Sequence, residues 1–182
     1  MRPAEALRLL AAIALLAGAT TGCGGGEPAP PAGFEVGNHA PELEGTTAAG
    51  ERFGLSALRA PRLVLFYRGG YCGLCRLRLE ALEASLPDYR ALGVEVIGVS
   101  PEEPFDVAGT ASATGVSFPL LSVDESVVRR WGVRFGAQGA GSSPMAIYLV
   151  DEAGVIIFAD REVVAAGRAT DAALLTLLQQ RR

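Results

Sequence analysis

The residues of this chain best suited to chemistry are Cys72 and Cys75, in the string Cys72-Gly73-Leu74-Cys75. Two thiols at this spacing can pass between dithiol and disulfide, the second sulfur attacking a mixed disulfide formed by the first. The thiolate is the reactive form, and a helix N-terminus stabilises it through free N–H donors and partial positive charge. The motif lies where such a terminus is expected. Before it runs Arg62-Leu63-Val64-Leu65-Phe66-Tyr67, rich in strand formers, broken by Arg68-Gly69-Gly70-Tyr71. After it, Leu74, Leu77, Leu82 and Leu86 recur near helical spacing, with Arg76, Arg78, Glu80 and Glu83 on the polar side. Arg68, Arg76 and Arg78 add positive charge near the thiols. Cys72, nearer the helix tip, is expected to attack and Cys75 to resolve. The chemistry calls for no cofactor; its partners are protein thiols or disulfides and an electron-donor protein.

Other uses of the pair are weaker. A structural zinc site needs four ligands, and only His39 and Cys23 remain to complete one. A permanent disulfide here would close a very small loop, which stabilises little by loop-closure entropy. Soft thiolates also suit Cu(I), so a metal-delivery or binding module is the rival of a different class. His39 sits in a turn-rich lead-in and is expected to be exposed or locally satisfied. Trp131 is expected in the core.

The elements around the motif suggest how it is held. Glu51 to Leu58 reads as a short strand and a turn. The helix after the cysteines runs to about Leu86, with Pro87 expected to stop or kink it. Val94 to Val99 is a strand, Glu102 to Thr114 a helix, and Phe118 to Leu121 a short apolar stretch. Asp124 could cap a helix ending at Trp131. Gly132 to Ser143 is a loop, Met145 to Val150 and Val155 to Ala159 a hairpin turning at Asp151-Glu152-Ala153-Gly154, and Ala169 to Gln180 a closing helix. Early alternation of strand and helix predicts parallel strands, and the late hairpin adds antiparallel ones. The predicted fold class is therefore α/β with a mixed central sheet flanked by helices.

The first residues read as a leader. Arg2 and Arg8 precede an apolar run, Leu9 to Ala17, which is too short to span a bilayer and suits a signal core. Ala19-Thr20-Thr21-Gly22-Cys23 resembles a bacterial lipobox in which Cys23 is lipidated, although Thr20 replaces the usual Leu. Ala17-Gly18-Ala19 offers ordinary cleavage instead. The expected organisation is residues 1–23 as signal peptide, 24–33 as a Gly/Pro-rich tether, and 34–182 as one domain. Location is then the cell envelope, facing away from the cytoplasm. An anchored Cys23 also accounts for the odd count of 3 cysteines. The chain has a net charge of −4, which argues against a nucleic-acid surface. All 16 basic residues are Arg, which removes Schiff-base and P-loop lysine chemistry.

Ser143-Pro144 stands directly before the strand Met145 to Val150. There the chain resembles the thioredoxin superfamily, in which a cis-proline at this place faces the CxxC and guides substrate backbone pairing. Within it, Gly37-Asn38-His39-Ala40-Pro41, Phe66 through Cys75, and Val150 through Gly154 resemble the peroxiredoxin-like alkyl hydroperoxide reductase C and thiol-specific antioxidant family. The likeness spans Gly37 to Gln180. It implies a thioredoxin-like fold, a redox disulfide between Cys72 and Cys75, and Pro144 in the active site with Ser143, Tyr71 and Arg68 as auxiliaries. It also brings an alternative: a thiol peroxidase reducing hydroperoxides, with Cys75 peroxidatic. Two departures weigh against that alternative. Cys72 stands where peroxiredoxins carry threonine, and Met145 where they carry arginine; Arg68 or Arg134 would have to substitute. Copper carriers of this fold use a wider Cys pair and a distant His, neither of which is found here.

Overall fold

The computed structural model describes residues 34–58, 60–135, 144–161 and 168–181. Seven strands form one sheet: β1 (Glu44–Thr47), β2 (Arg52–Gly54), β3 (Arg62–Tyr67), β4 (Glu95–Ser100), β5 (Leu120–Ser122), β6 (Met145–Val150) and β7 (Ile156–Asp160). Four helices accompany them: α1 (Gly73–Ala91), α2 (Pro104–Thr114), α3 (Glu125–Arg130) and α4 (Arg168–Gln180). The strand order is β2-β1-β5-β4-β3-β6-β7. β3, β4 and β5 run parallel, while β6 lies antiparallel on β3 and β7 antiparallel on β6. The sheet is mixed, as the alternation of elements predicts.

Period-two alternation divides the core between the faces of the sheet. Leu63, Leu65 and Tyr67 of β3 and Met145, Ile147 and Leu149 of β6 share one cluster with Leu79 and Leu82 of α1, Val107 of α2, and Leu174 and Leu178 of α4. Val64 and Phe66 point the other way, with Ala146, Tyr148 and Val150, onto Val127, Val128 and Trp131. Trp131 anchors that second layer, its ring 5.2 Å from Phe66 and 5.0 Å from Tyr148, whose hydroxyl donates to the Trp131 carbonyl. Every residue of β3, the strand leading to the cysteines, is buried, as is every residue of its neighbour β6.

Two elements, α1 and β1, differ here from the sequence expectation. Helix α1 does not stop at Pro87 but continues to Ala91 with the proline inside it. Its last turn is held from outside: Leu86 and Tyr89 are buried, and Tyr89 Oη donates to Asp171 Oδ1 at 2.8 Å. Burial here outweighs the hydrogen bond that proline removes. The buried face of α1 is also rotated from the one the leucines suggest. It comprises Cys75, Arg78, Leu79, Leu82, Leu86 and Tyr89, while Leu74 and Leu77 are exposed. Finally, β1 was not foreseen because Glu44-Gly45-Thr46-Thr47 has no apolar alternation; backbone pairing with β2 and β5 makes it a strand. Asp124 caps α3 as expected, accepting the Ser126 N–H at 2.8 Å.

Arg78 is therefore a core residue and not part of the polar face. Both of its terminal nitrogens lie 2.6 Å from the Asp171 carboxylate, joining α1 to α4 in a bidentate pair that Tyr89 completes. A buried pair of this kind gains little over apolar packing, but breaking it leaves a desolvated charge unpartnered. Asp171→Ala should lower unfolding free energy by about 3–5 kcal/mol, seen as a fall in the urea midpoint at unchanged slope. A loss under about 1 kcal/mol would mean that water reaches Arg78.

Candidate active site

The site forms where β3 ends. Tyr67 is its last residue, the turn 68–71 carries the chain off the end of this interior strand, and α1 begins at Gly73 with Cys72 as its N-cap. Cys72 and Cys75 are joined as a disulfide, with Cα atoms 5.2 Å apart. The Cys75 N–H donates to Cys72 Sγ at 3.2 Å, so sulfur fills the capping role usually taken by a hydroxyl or carboxylate. In the reduced protein this N–H and the helix terminus both favour a Cys72 thiolate. Cys72 is partly exposed, whereas Cys75 is fully buried. One sulfur can therefore meet a partner while the other is shielded from it.

Pro144 closes the site from β6. Its carbonyl accepts the Arg68 N–H at 3.0 Å and lies 3.6 Å from Cys75 Sγ, within reach of a weak bond from the reduced thiol. The structure thus brings Cys72, Cys75, Pro144 and the Arg68 backbone together. Ser143, and with it the isomer of the Ser143–Pro144 bond, lies outside the described residues, as does Cys23. Tyr71 is largely exposed beside the motif, at 71%. Met145 is buried and paired with Tyr67 across the β3–β6 ladder. Arg134 is exposed at the edge of residues 136–143, which are outside the description.

Two of the basic residues expected to bias the thiols differ in placement. Arg76 lies on the surface of the first turns of α1. Arg78 is turned inward to Asp171, so its charge is balanced there and not offered to Cys72. His39 is exposed at the opposite end of the sheet. It bridges Val155 and lines a cleft with Arg62, the first residue of β3. Among the described residues no cluster of three His, Cys, Asp or Glu could hold a metal.

One residue of the site escaped sequence reasoning. The sequence pattern begins the second helix at Glu102, whereas α2 starts at Pro104 with Glu103 as its N-cap. The signal was present: proline is favoured at the first helical position, so Pro104 marks the start and leaves Glu102 outside. Its carboxylate instead takes the Gly70 N–H, through oxygens at 3.0 and 2.9 Å. Beside it, burial pushes the Tyr67 hydroxyl pKa upward, and the Glu102 charge adds to that shift while Ser100 opposes it.

The family described as AhpC/TSA has a model that matches residues 36–159. A Mycobacterium tuberculosis protein named as a peroxiredoxin is 31% identical over 137 residues, which is 72% of this chain and 87% of that one. A Geobacillus kaustophilus protein named thiol-disulfide oxidoreductase ResA is 28% identical over 122 residues, 66% of each. The crystal structure of peroxidoxin BcpB from Mycobacterium tuberculosis covers 82% of this chain and 99% of its own, with a TM-score of 0.71 at 19% identity, a likeness of fold.

The geometry separates the two thiols. In the reduced protein, Cys72 should react with iodoacetamide at least tenfold faster than Cys75 at mildly acidic pH, read by peptide mass spectrometry. Faster labelling of Cys75 would reverse the assignment of the attacking sulfur.

Proposed function

The chain belongs to the AhpC/TSA family, a thiol-dependent oxidoreductase by kinship, and on that premise we propose that it performs dithiol–disulfide exchange outside the cytoplasm. The observation that carries this reading is the asymmetry of the pair: a partly exposed Cys72 capped by the Cys75 N–H, and a buried Cys75. In the reducing direction, Cys72 thiolate attacks one sulfur of a client disulfide, and the other client sulfur leaves as thiolate. Cys75 then loses its proton and attacks Cys72 Sγ. The client is released as a dithiol, and Cys72–Cys75 is left oxidised until a donor dithiol reduces it. The same steps in reverse oxidise a client. The Pro144 carbonyl, 3.6 Å from Cys75 Sγ, holds the resolving thiol in line. The relative named thiol-disulfide oxidoreductase supports the reaction class.

A second reading is peroxide reduction with Cys75 peroxidatic, favoured by the relative named as a peroxiredoxin. It meets two obstacles. Cys75 is fully buried behind Cys72, and Met145 stands where a peroxide-orienting arginine is wanted. The extracytoplasmic location rests on the apolar run Leu9–Ala17 and on Cys23 as an anchor. Among the described residues no helix is long and apolar enough to cross a membrane.

Two experiments test these points. Cys75→Ser should accumulate mixed disulfides through Cys72, while the unaltered protein reduces insulin disulfides and turns over peroxide at least tenfold more slowly. Sulfenic acid on Cys75 with fast peroxide consumption would replace exchange by peroxidase chemistry. Cys23→Ser should move the protein from the membrane to the soluble fraction; retention with the signal cleaved would rule out the lipid anchor.

A further inference from the structure

Glu102 holds the turn that presents Cys72, and the exchange steps give it no part. It stands between β4 and α2 and is itself fixed on several sides. Its N–H donates to Ser100 Oγ at 3.3 Å, and that hydroxyl donates to Glu102 Oε2 at 3.3 Å. Ser122 Oγ, at the end of β5, donates to the Glu102 carbonyl at 2.6 Å. From this rigid base the carboxylate takes the Gly70 N–H on both oxygens. The approach needs glycine: a Cβ on Gly69 would fall 2.5 Å from Glu102 Oε1. The next link is the Cys72 N–H, which donates to the Gly69 carbonyl at 3.1 Å. One carboxylate is thus coupled through a single turn to the residue that caps α1.

Its charge is opposite in sign to that of the helix terminus. A carboxylate near a thiolate disfavours the ionised sulfur. Around it stand Tyr67 of β3, Tyr71 of the turn, and Glu44, Glu103, Asp124 and Glu125, which line one cleft with it. Among the described residues five carboxylates line that cleft; Glu44 is paired with Arg52 at 3.1 Å and Glu125 with Arg129 at 2.9 Å, and the one bonded to the turn is Glu102.

We propose that Glu102 is a positioning residue for Cys72, fixing the 69–72 turn and holding the thiolate less stable than the helix terminus alone would make it. A less stable thiolate favours the oxidised pair, so Glu102 biases Cys72–Cys75 toward acting as a reductant. The inference builds on the reading of Cys72 as the attacking thiol.

The test uses the full chain with E102Q, E102D and E102A. The pH dependence of Cys72 alkylation is followed by peptide mass spectrometry in the reduced protein, and the pair is equilibrated against glutathione. E102Q keeps the size of the side chain and removes the charge. It should speed alkylation about threefold to tenfold below the wild-type midpoint and make the disulfide easier to reduce. E102A should do the same and serves if E102Q does not fold, while E102D, which keeps the charge, should lie near wild type. Urea unfolding separates these effects from loss of structure. Alkylation within twofold of wild type in both E102Q and E102A, or slower, overturns the proposal. Insulin reduction by the wild type is run alongside. If it fails while E102Q still speeds alkylation, the exchange reading falls and the role of Glu102 stands. If it succeeds with alkylation unchanged, only the role of Glu102 falls.

Discussion

The Cys75 N–H directed at Cys72 Sγ, 3.2 Å away, is the contact to which the rest of the molecule is subordinate. It exists only if α1 begins at Gly73, since one residue of slippage would take the N–H off the sulfur. In the reduced protein such a bond favours a thiolate at the tip of the helix, while the partner sulfur is buried one turn below. Differential access and differential charge are what a resolving mechanism requires, and a single capping bond supplies part of both.

Three anchors keep that bond in place. β3 is buried along its whole length, paired on both sides, and delivers the chain to the end of the strand where the cysteines follow. The turn beyond it is pinned by Glu102 on one side and by the bond from the Arg68 N–H to the Pro144 carbonyl on the other. Behind the cysteines, Arg78, Asp171 and Tyr89 lock α1 against α4. That ionic lock need not add net stability, because desolvation offsets much of its attraction. Its directional, bidentate geometry lies on the same buried face of α1 as Cys75, Leu79, Leu82 and Leu86.

Kinship with proteins named for peroxide reduction and for disulfide exchange is consistent with this construction. The strand, the turn and the helix tip can serve either reaction; the groups above the sulfurs decide between them. In this chain Cys72 occupies a place the peroxidases reserve for threonine, and a buried Met145 stands at the head of β6. The proposed preference for dithiol exchange rests on those two positions.

Much of this was legible in the sequence. Continuous apolar runs bounded by glycine and proline determined β3 and β6 to the residue, because such strands need no long-range partner to be recognised. The spacing of Cys72 and Cys75 placed the pair at a strand-to-helix junction, where the structure has it, and Asp124 announced its own helix. Tertiary structure decided what depends on partners distant in sequence. Pro87 remains inside α1 because Leu86 and Tyr89 are buried and α4 supplies Asp171 to Tyr89. Arg78 is a core residue only because Asp171 lies opposite, 93 positions along the chain. Glu102 reaches Gly70 across 32 positions, and no local pattern of hydrophobicity records such a bond. Local propensity and periodicity are short-range quantities, whereas the pairing of a buried charge depends on which segments the fold brings together.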